Sequence, residues 1–197
     1  MTTNNQVNQS HCHLIFGGAR SGKSSFAEQQ ALFALEACLN GRLHYIATAT
    51  YLDDEMRERI VHHKERRREH WIEHEVPVEL ATKLQSFNQD DVVLIDCLTL
   101  WLNNIIFELG EDATNEQVEA VVEGLVRSVE QSTANIIMVS NEVGLGVVPL
   151  GKVSRLFVDN AGRMNQALAR VVERVTLIAA GLPLHLKPSI HSLDTQG

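Results

Sequence analysis

Eight consecutive residues, Gly17-Gly18-Ala19-Arg20-Ser21-Gly22-Lys23-Ser24, fit the pattern G-x-x-x-x-G-K-[ST] without a mismatch. The chemistry such a stretch performs is the holding of a polyphosphate. Its glycines let the backbone turn tightly with the N–H groups pointing inward. A helix starting where the loop ends adds its N-terminal partial positive charge. Lys23 reaches the outer phosphates. Ser24 supplies a hydroxyl to Mg²⁺, which prefers hard oxygen ligands beside phosphate. A second candidate is Asp96, at the end of the apolar run Val92-Val93-Leu94-Ile95. An acid that coordinates Mg²⁺ is expected there in this class of fold, so Ser24 and Asp96 are the expected metal ligands. The competing role for Asp96 is an N-cap for the helix that follows.

A third group lies in the charged stretch from Asp53 to Trp71, which holds the pair His62-His63. Read as a helix, residues four apart share a face. His62 then lies with Glu58 and Arg66, and His63 lies between Arg59 and Arg67. Two flanking cations disfavour imidazolium, and a neutral imidazole is what a nucleophile requires. The same charge run also fits an ordinary solvated helix face. Asn141 and Glu142 end another apolar run and precede Gly144 and Gly146; they are either part of a binding edge or a polar loop with two turn glycines. Asp159, Arg163 and Asn165 are weaker candidates that could equally cap or pair helices. Trp71 and Trp101 read as core or subunit-interface anchors.

These residues need elements to position them. His13 to Phe16 is a short strand running into the glycines, and Ser24 to Leu39 has helical spacing closed by Asn40-Gly41. Further strands are expected at 43–47, 92–96, 135–140 and 175–180, with a short final one at 184–187. Helices are expected at 53–70, 97–109, 116–131 and 152–172. Strands alternating with helices predict a P-loop NTPase (RecA-like) α/β fold, with a mostly parallel sheet and helices on both faces. Residues 1–12 read as a flexible tail, and 13–197 as a single nucleotide-binding catalytic domain.

Composition narrows the function. Lys and Arg number 17 against 25 for Asp and Glu, a formal net charge of −8. An acidic chain is a poor fit for general nucleic-acid binding, so phosphate-binding charge must be concentrated locally. The three cysteines are isolated and odd in number, which argues against a disulfide framework and for a cytoplasmic location. No apolar run approaches about 18 residues, so no membrane span is expected.

The segments GGARSGKS at 17–24, IAT at 46–48, LDDEM at 52–56, HHK at 62–64, HW at 70–71, NEVGLGVVP at 141–149 and AGRMNQ at 161–166 occur in that order. Together they resemble the bifunctional adenosylcobinamide kinase/adenosylcobinamide-phosphate guanylyltransferase family of cobalamin biosynthesis, over about residues 13 to 187. The resemblance implies two reactions. ATP or GTP phosphorylates adenosylcobinamide, and GMP is then passed from GTP through a GMP-histidine intermediate to give adenosylcobinamide-GDP. It puts the intermediate on His63. It puts Ala47, Thr48, Ala49, Lys64, Glu65, Arg66, Arg67, Glu75 and Asp96 beside the guanine nucleotide. It also implies a homotrimer with active sites near subunit boundaries. Ala49 departs from the family, where a hydroxyl residue is common, and Thr50 is the available substitute. Three other readings use fewer of these residues: a kinase with the phosphate loop alone, a RecA-like ATPase acting on a partner, and a nucleotide-binding scaffold.

Overall fold

The computed structural model of the chain describes residues 12–38, 40–49, 70–146 and 149–188. Its apolar runs pair into one seven-stranded sheet: β1 Cys12–Gly17, β2 Arg42–Ala47, β3 Trp71–Glu75, β4 Asp91–Asp96, β5 Asn135–Asn141, β6 Arg174–Ala179 and β7 Leu182–Lys187. The order across the sheet is β3-β2-β4-β5-β1-β6-β7. The first six strands in this order are parallel, and β7 turns back antiparallel on β6. The helices are α1 Lys23–Glu36, α2 Leu80–Leu84, α3 Leu98–Leu109, α4 Asn115–Gln131 and α5 Lys152–Val171.

A strand covered on both faces has no polar side to show, and β5 illustrates this. Ile136, Ile137, Met138 and Val139 are all fully buried. Successive side chains point to opposite faces, so Ile136 and Met138 join the cluster under α3, α4 and α5, while Ile137 and Val139 join the one under α1. Helices therefore cover both faces, as the periodicity predicts, and the molecule is a P-loop NTPase-type α/β fold. Thr114 and Gln117 form a capping box that starts α4. Trp101 is buried in the larger cluster and donates its indole N–H to the Val78 carbonyl at 2.7 Å. Among the described residues no helix is long and apolar enough to cross a membrane.

Three departures from the sequence reading stand out. Cys12, assigned to the tail, is the buried first residue of β1. Trp71, read as a core or interface anchor, opens a five-residue edge strand where none was expected and packs edge-on against Tyr45 at 6.0 Å. The last strand is longer than expected and makes a hairpin through Ala180 and Gly181. The expected helix at 53–70 lies outside the described residues up to position 69.

Edge strand β3 is tied to its neighbours by a polar chain. His44 Nε2 lies 3.0 Å from Asp91 Oδ1, and His44 Nδ1 lies 3.0 Å from His74 Nε2. The carboxylate can only accept, so His44 Nε2 donates to Asp91. Arg42 adds two bonds to the same carboxylate, at 2.8 and 3.1 Å.

Candidate active site

In an open α/β sheet the carboxyl ends of the strands form the binding edge. β1 ends there at Gly17, and the phosphate loop follows. A Cβ on Gly17 would sit 2.4 Å from the Ile178 carbonyl oxygen, so β6 admits only glycine here. Gly22 has φ +95°, a conformation open mainly to glycine, and a Cβ there would meet Gly181 Cα at 3.4 Å. Gly181 also donates its N–H to the Ser21 carbonyl at 2.9 Å. The turn between β6 and β7 thus holds the loop from outside. Inside it, Ser21 Oγ is buried with no hydrogen-bond partner.

Lys23 opens α1 and is only 8% exposed. Its ammonium donates to the Gly18 carbonyl at 3.0 Å and so closes the loop on itself. Burial lowers its pKa, while the charges of Asp96 and Cys97 act in the opposite direction. Asp96 ends β4, half-buried, at the same edge. Cys97 occupies the N-cap position of α3 and makes no side-chain cap bond. The N-cap alternative for Asp96 is therefore not what the structure uses.

Register aligns three of the expected nucleotide residues. Ala47 pairs with Glu75 on one side and with Asp96 on the other, so the three sit in a row across β3, β2 and β4. At about 4.8 Å per strand the row spans nearly 10 Å. Thr48 follows it but is fully buried. Its hydroxyl donates to the Cys97 carbonyl at 2.7 Å and accepts the Cys97 N–H at 2.9 Å. Asn104 in turn donates to the Thr48 carbonyl at 2.8 Å and to the Pro77 carbonyl at 3.0 Å. Thr48 thus locks the end of β2 to the end of β4. Ala49 is half-buried beside it.

β5 runs between β4 and β1, which puts two strand spacings, about 9.5 Å, between the strand of Asp96 and the strand of Gly17. The end of β5 fills that interval. Asn141 donates to Thr99 Oγ1 at 2.7 Å, and Glu142 donates its N–H to the Gly17 carbonyl at 3.0 Å. The Glu142 carboxylate accepts the Gly144 N–H at 2.7 Å.

A family model described as cobinamide kinase/cobinamide phosphate guanyltransferase matches residues 13–186. The chain belongs to that family. It is 47% identical to the bifunctional adenosylcobalamin biosynthesis protein CobP of Pseudomonas aeruginosa over 88% of this chain and 96% of the relative. It is 37% identical to the corresponding protein CobU of Escherichia coli over 88% of this chain and 98% of the relative. Among solved structures, a Pyrococcus horikoshii protein covers 93% of this chain and 88% of its own at a TM-score of 0.51 and 11% identity, a likeness of fold alone.

Of the residues expected at the site of this cobinamide kinase/guanyltransferase, the phosphate loop and Asp96 are described, with the end of β5 between their strands. His62, His63, Lys64, Glu65, Arg66 and Arg67 lie outside the described residues. Among those described, no group of three or more His, Cys, Asp or Glu side chains could hold a metal. The protein oxygens of Ser24 and Asp96 are a donor set that fits Mg²⁺, which keeps waters and phosphate oxygens rather than filling an all-protein cage.

The described contacts of the weaker candidates are with helices and with β5. Arg163 pairs with Glu119. Asn165 accepts a hydrogen bond from Ser140 at 2.7 Å and so steadies β5. Asp159 lines a groove of about 330 Å³ between the starts of α4 and α5 that contains no phosphate-loop residue. Three contributors were missed from the sequence. Thr99 and Asn104 follow Asp96 within one helix, and their polar side chains in an apolar stretch were the available signal. Gly181 acts on a loop 160 positions earlier and left no local signal.

Proposed function

We infer that this chain carries out two successive transfers on one corrinoid. The first is phosphorylation of the aminopropanol hydroxyl of adenosylcobinamide by ATP or GTP. The second is transfer of GMP from GTP to the resulting phosphate through His63. The observation that carries this reading is the buried Lys23 side chain, whose ammonium closes a complete phosphate loop by bonding the Gly18 carbonyl.

In the first transfer the hydroxyl oxygen attacks the γ-phosphorus. The bond to the β-phosphate oxygen breaks, the nucleoside diphosphate leaves, and the hydroxyl proton passes to water. Lys23 and the loop N–H groups stabilise charge on the transferring group, the usual source of catalysis in such reactions. Mg²⁺ held by Ser24 and Asp96 would neutralise charge between the outer phosphates.

In the second transfer an imidazole nitrogen of His63 attacks the α-phosphorus of GTP and pyrophosphate leaves. A phosphate oxygen of the corrinoid then attacks the same phosphorus, the P–N bond breaks, and the histidine is restored. Splitting one hard displacement into two is the advantage of a covalent intermediate. Ala47, Ala49, Glu75 and Asp96, with Lys64 to Arg67, are assigned to the guanine nucleotide. Thr48 serves them through the strand ends it locks. Three copies of the chain are expected to associate.

Intact-mass measurement after mixing the protein with GTP tests the covalent step. Addition of one GMP is the expected result. An enzyme that phosphorylates cobinamide and never gains that mass would reduce the reading to a kinase alone.

A further inference from the structure

We propose that the segment leaving β5, residues 144–146 and 149–153, is the surface on which the corrin ring of the substrate docks. This assignment rests on the function inferred above and adds the residues that would recognise the acceptor.

Three observations point to it. The first is position. The Glu142 N–H bonded to the Gly17 carbonyl at 3.0 Å starts the segment against the first residue of the phosphate loop. The second is composition. Leu145 is 88% exposed, Leu150 is 95% exposed and Val153 is 50% exposed, and no charged residue occurs from 143 to 151. The two leucines are five positions apart in the chain, at most about 18 Å fully extended. In a chain of net charge −8, an uncharged apolar stretch that starts beside the phosphate loop stands apart from the acidic remainder. The third is support. Arg155 donates to the Pro149 carbonyl at 3.3 Å and also to the Leu150 carbonyl, so the first turns of α5 hold the second half of the segment.

The chemistry of the acceptor matches this surface. A kinase of this family must bring a hydroxyl on a short arm to the γ-phosphate. The rest of the acceptor is a macrocycle with apolar faces, which needs an apolar surface within reach of that arm. Binding energy from the non-reacting ring would then hold the hydroxyl in place.

The test uses the full-length protein with Leu145→Ser, Leu150→Ser and the double variant. KM for adenosylcobinamide in the kinase reaction should rise about tenfold for each single change, as expected for one lost leucine contact. kcat at saturation, the GMP adduct formed from GTP alone and the mass in solution should hold. An active double variant with unchanged KM overturns the docking surface. So does a fall in solution mass that accompanies the change in KM, because a second copy of the chain would then be what covers the leucines. A wild-type protein that phosphorylates no cobinamide fails at the inferred function itself, and the docking surface falls with it.

Discussion

At the scale of single residues, the phosphate loop is where type and position constrain each other most tightly. Lys23→Ala removes the one side-chain cation that the described residues hold inside the loop. The kinase rate should drop on the order of a hundredfold to a thousandfold, the range seen when one preorganised charge stabiliser is deleted. The fold should remain, because the lost bond is to one loop carbonyl; circular dichroism beside the kinase assay checks both halves. The histidine pair makes a second prediction. His63→Asn should accumulate adenosylcobinamide phosphate and take up no GMP, since an amide does not attack phosphorus at a useful rate. His62→Asn should still label, and the reverse pattern would move the nucleophile to His62. The adduct should survive alkali and be lost in mild acid, as a phosphoramidate is; an acid-stable label would point to a hydroxyl instead. Gly17 to Ser24 could be read from the chain because all the chemistry sits within eight positions. Thr48 could not be read fully, because its hydroxyl is committed to Cys97, 49 residues away.

At the scale of elements, the hairpin of β6 and β7 acts on a loop it does not belong to. Gly181 has φ +81° and holds the Ser21 carbonyl. Gly181→Ala meets no neighbour within 4 Å, so its cost is conformational, about 1–2 kcal/mol for an L-residue in the left-handed region. We expect weaker nucleotide binding, with Gly181→Asn recovering much of it because asparagine tolerates that conformation. Calorimetric titration of a non-hydrolysable nucleotide separates the three proteins, and equal affinities would remove the brace. The interior strands were legible because burial on both faces demands an unbroken apolar run, as at 92–96 and 135–140. β3 was not, since it reads Trp-Ile-Glu-His-Glu, an edge strand with exposed positions and no such run. β7 was seen only in part. Its leucines at 182, 184 and 186 alternate and remain exposed, so the pattern resembles a surface loop as much as a strand.

At the scale of the whole molecule, buried ionisable groups set the response to acid. Burial, then the charges of Arg174 and His185, push the His13 imidazole down to about 3. Its Nε2 lies 2.8 Å from Thr176 Oγ1, and its Nδ1 is buried without a partner, so a second N–H would have no acceptor. His74 is lowered as well, by burial first and then by Lys83 and His44. For both groups the unfolded chain binds more protons, so their contribution is complete above about pH 6.5 and is lost as pH falls through the folded values. Asp91 acts in the same sense lower down. Burial would raise its pKa, but bonds from the Asn88 N–H, Arg42 and His44 outweigh that and lower it. Urea unfolding between pH 7.5 and 5 should therefore show stability falling, by about 1.4 kcal/mol per pH unit for His13 once below its unfolded pKa, with His74 acting in the same direction. His13→Gln should remove one histidine's share, and an unchanged slope in that variant would refute the assignment. The strand order carries one more consequence, for the sequence of events in folding. β1 enters the sheet between β5 and β6, pairing with residues 136–141 and 174–178. Contacts across 120 to 160 positions form late, because the entropy of closing such loops must be met first. The earliest-made motif is thus the last to become a binding site. A nascent chain halted before Arg174 would contain every letter of GGARSGKS and still lack the strand and the turn that shape it, so nucleotide capture would report completion of the fold.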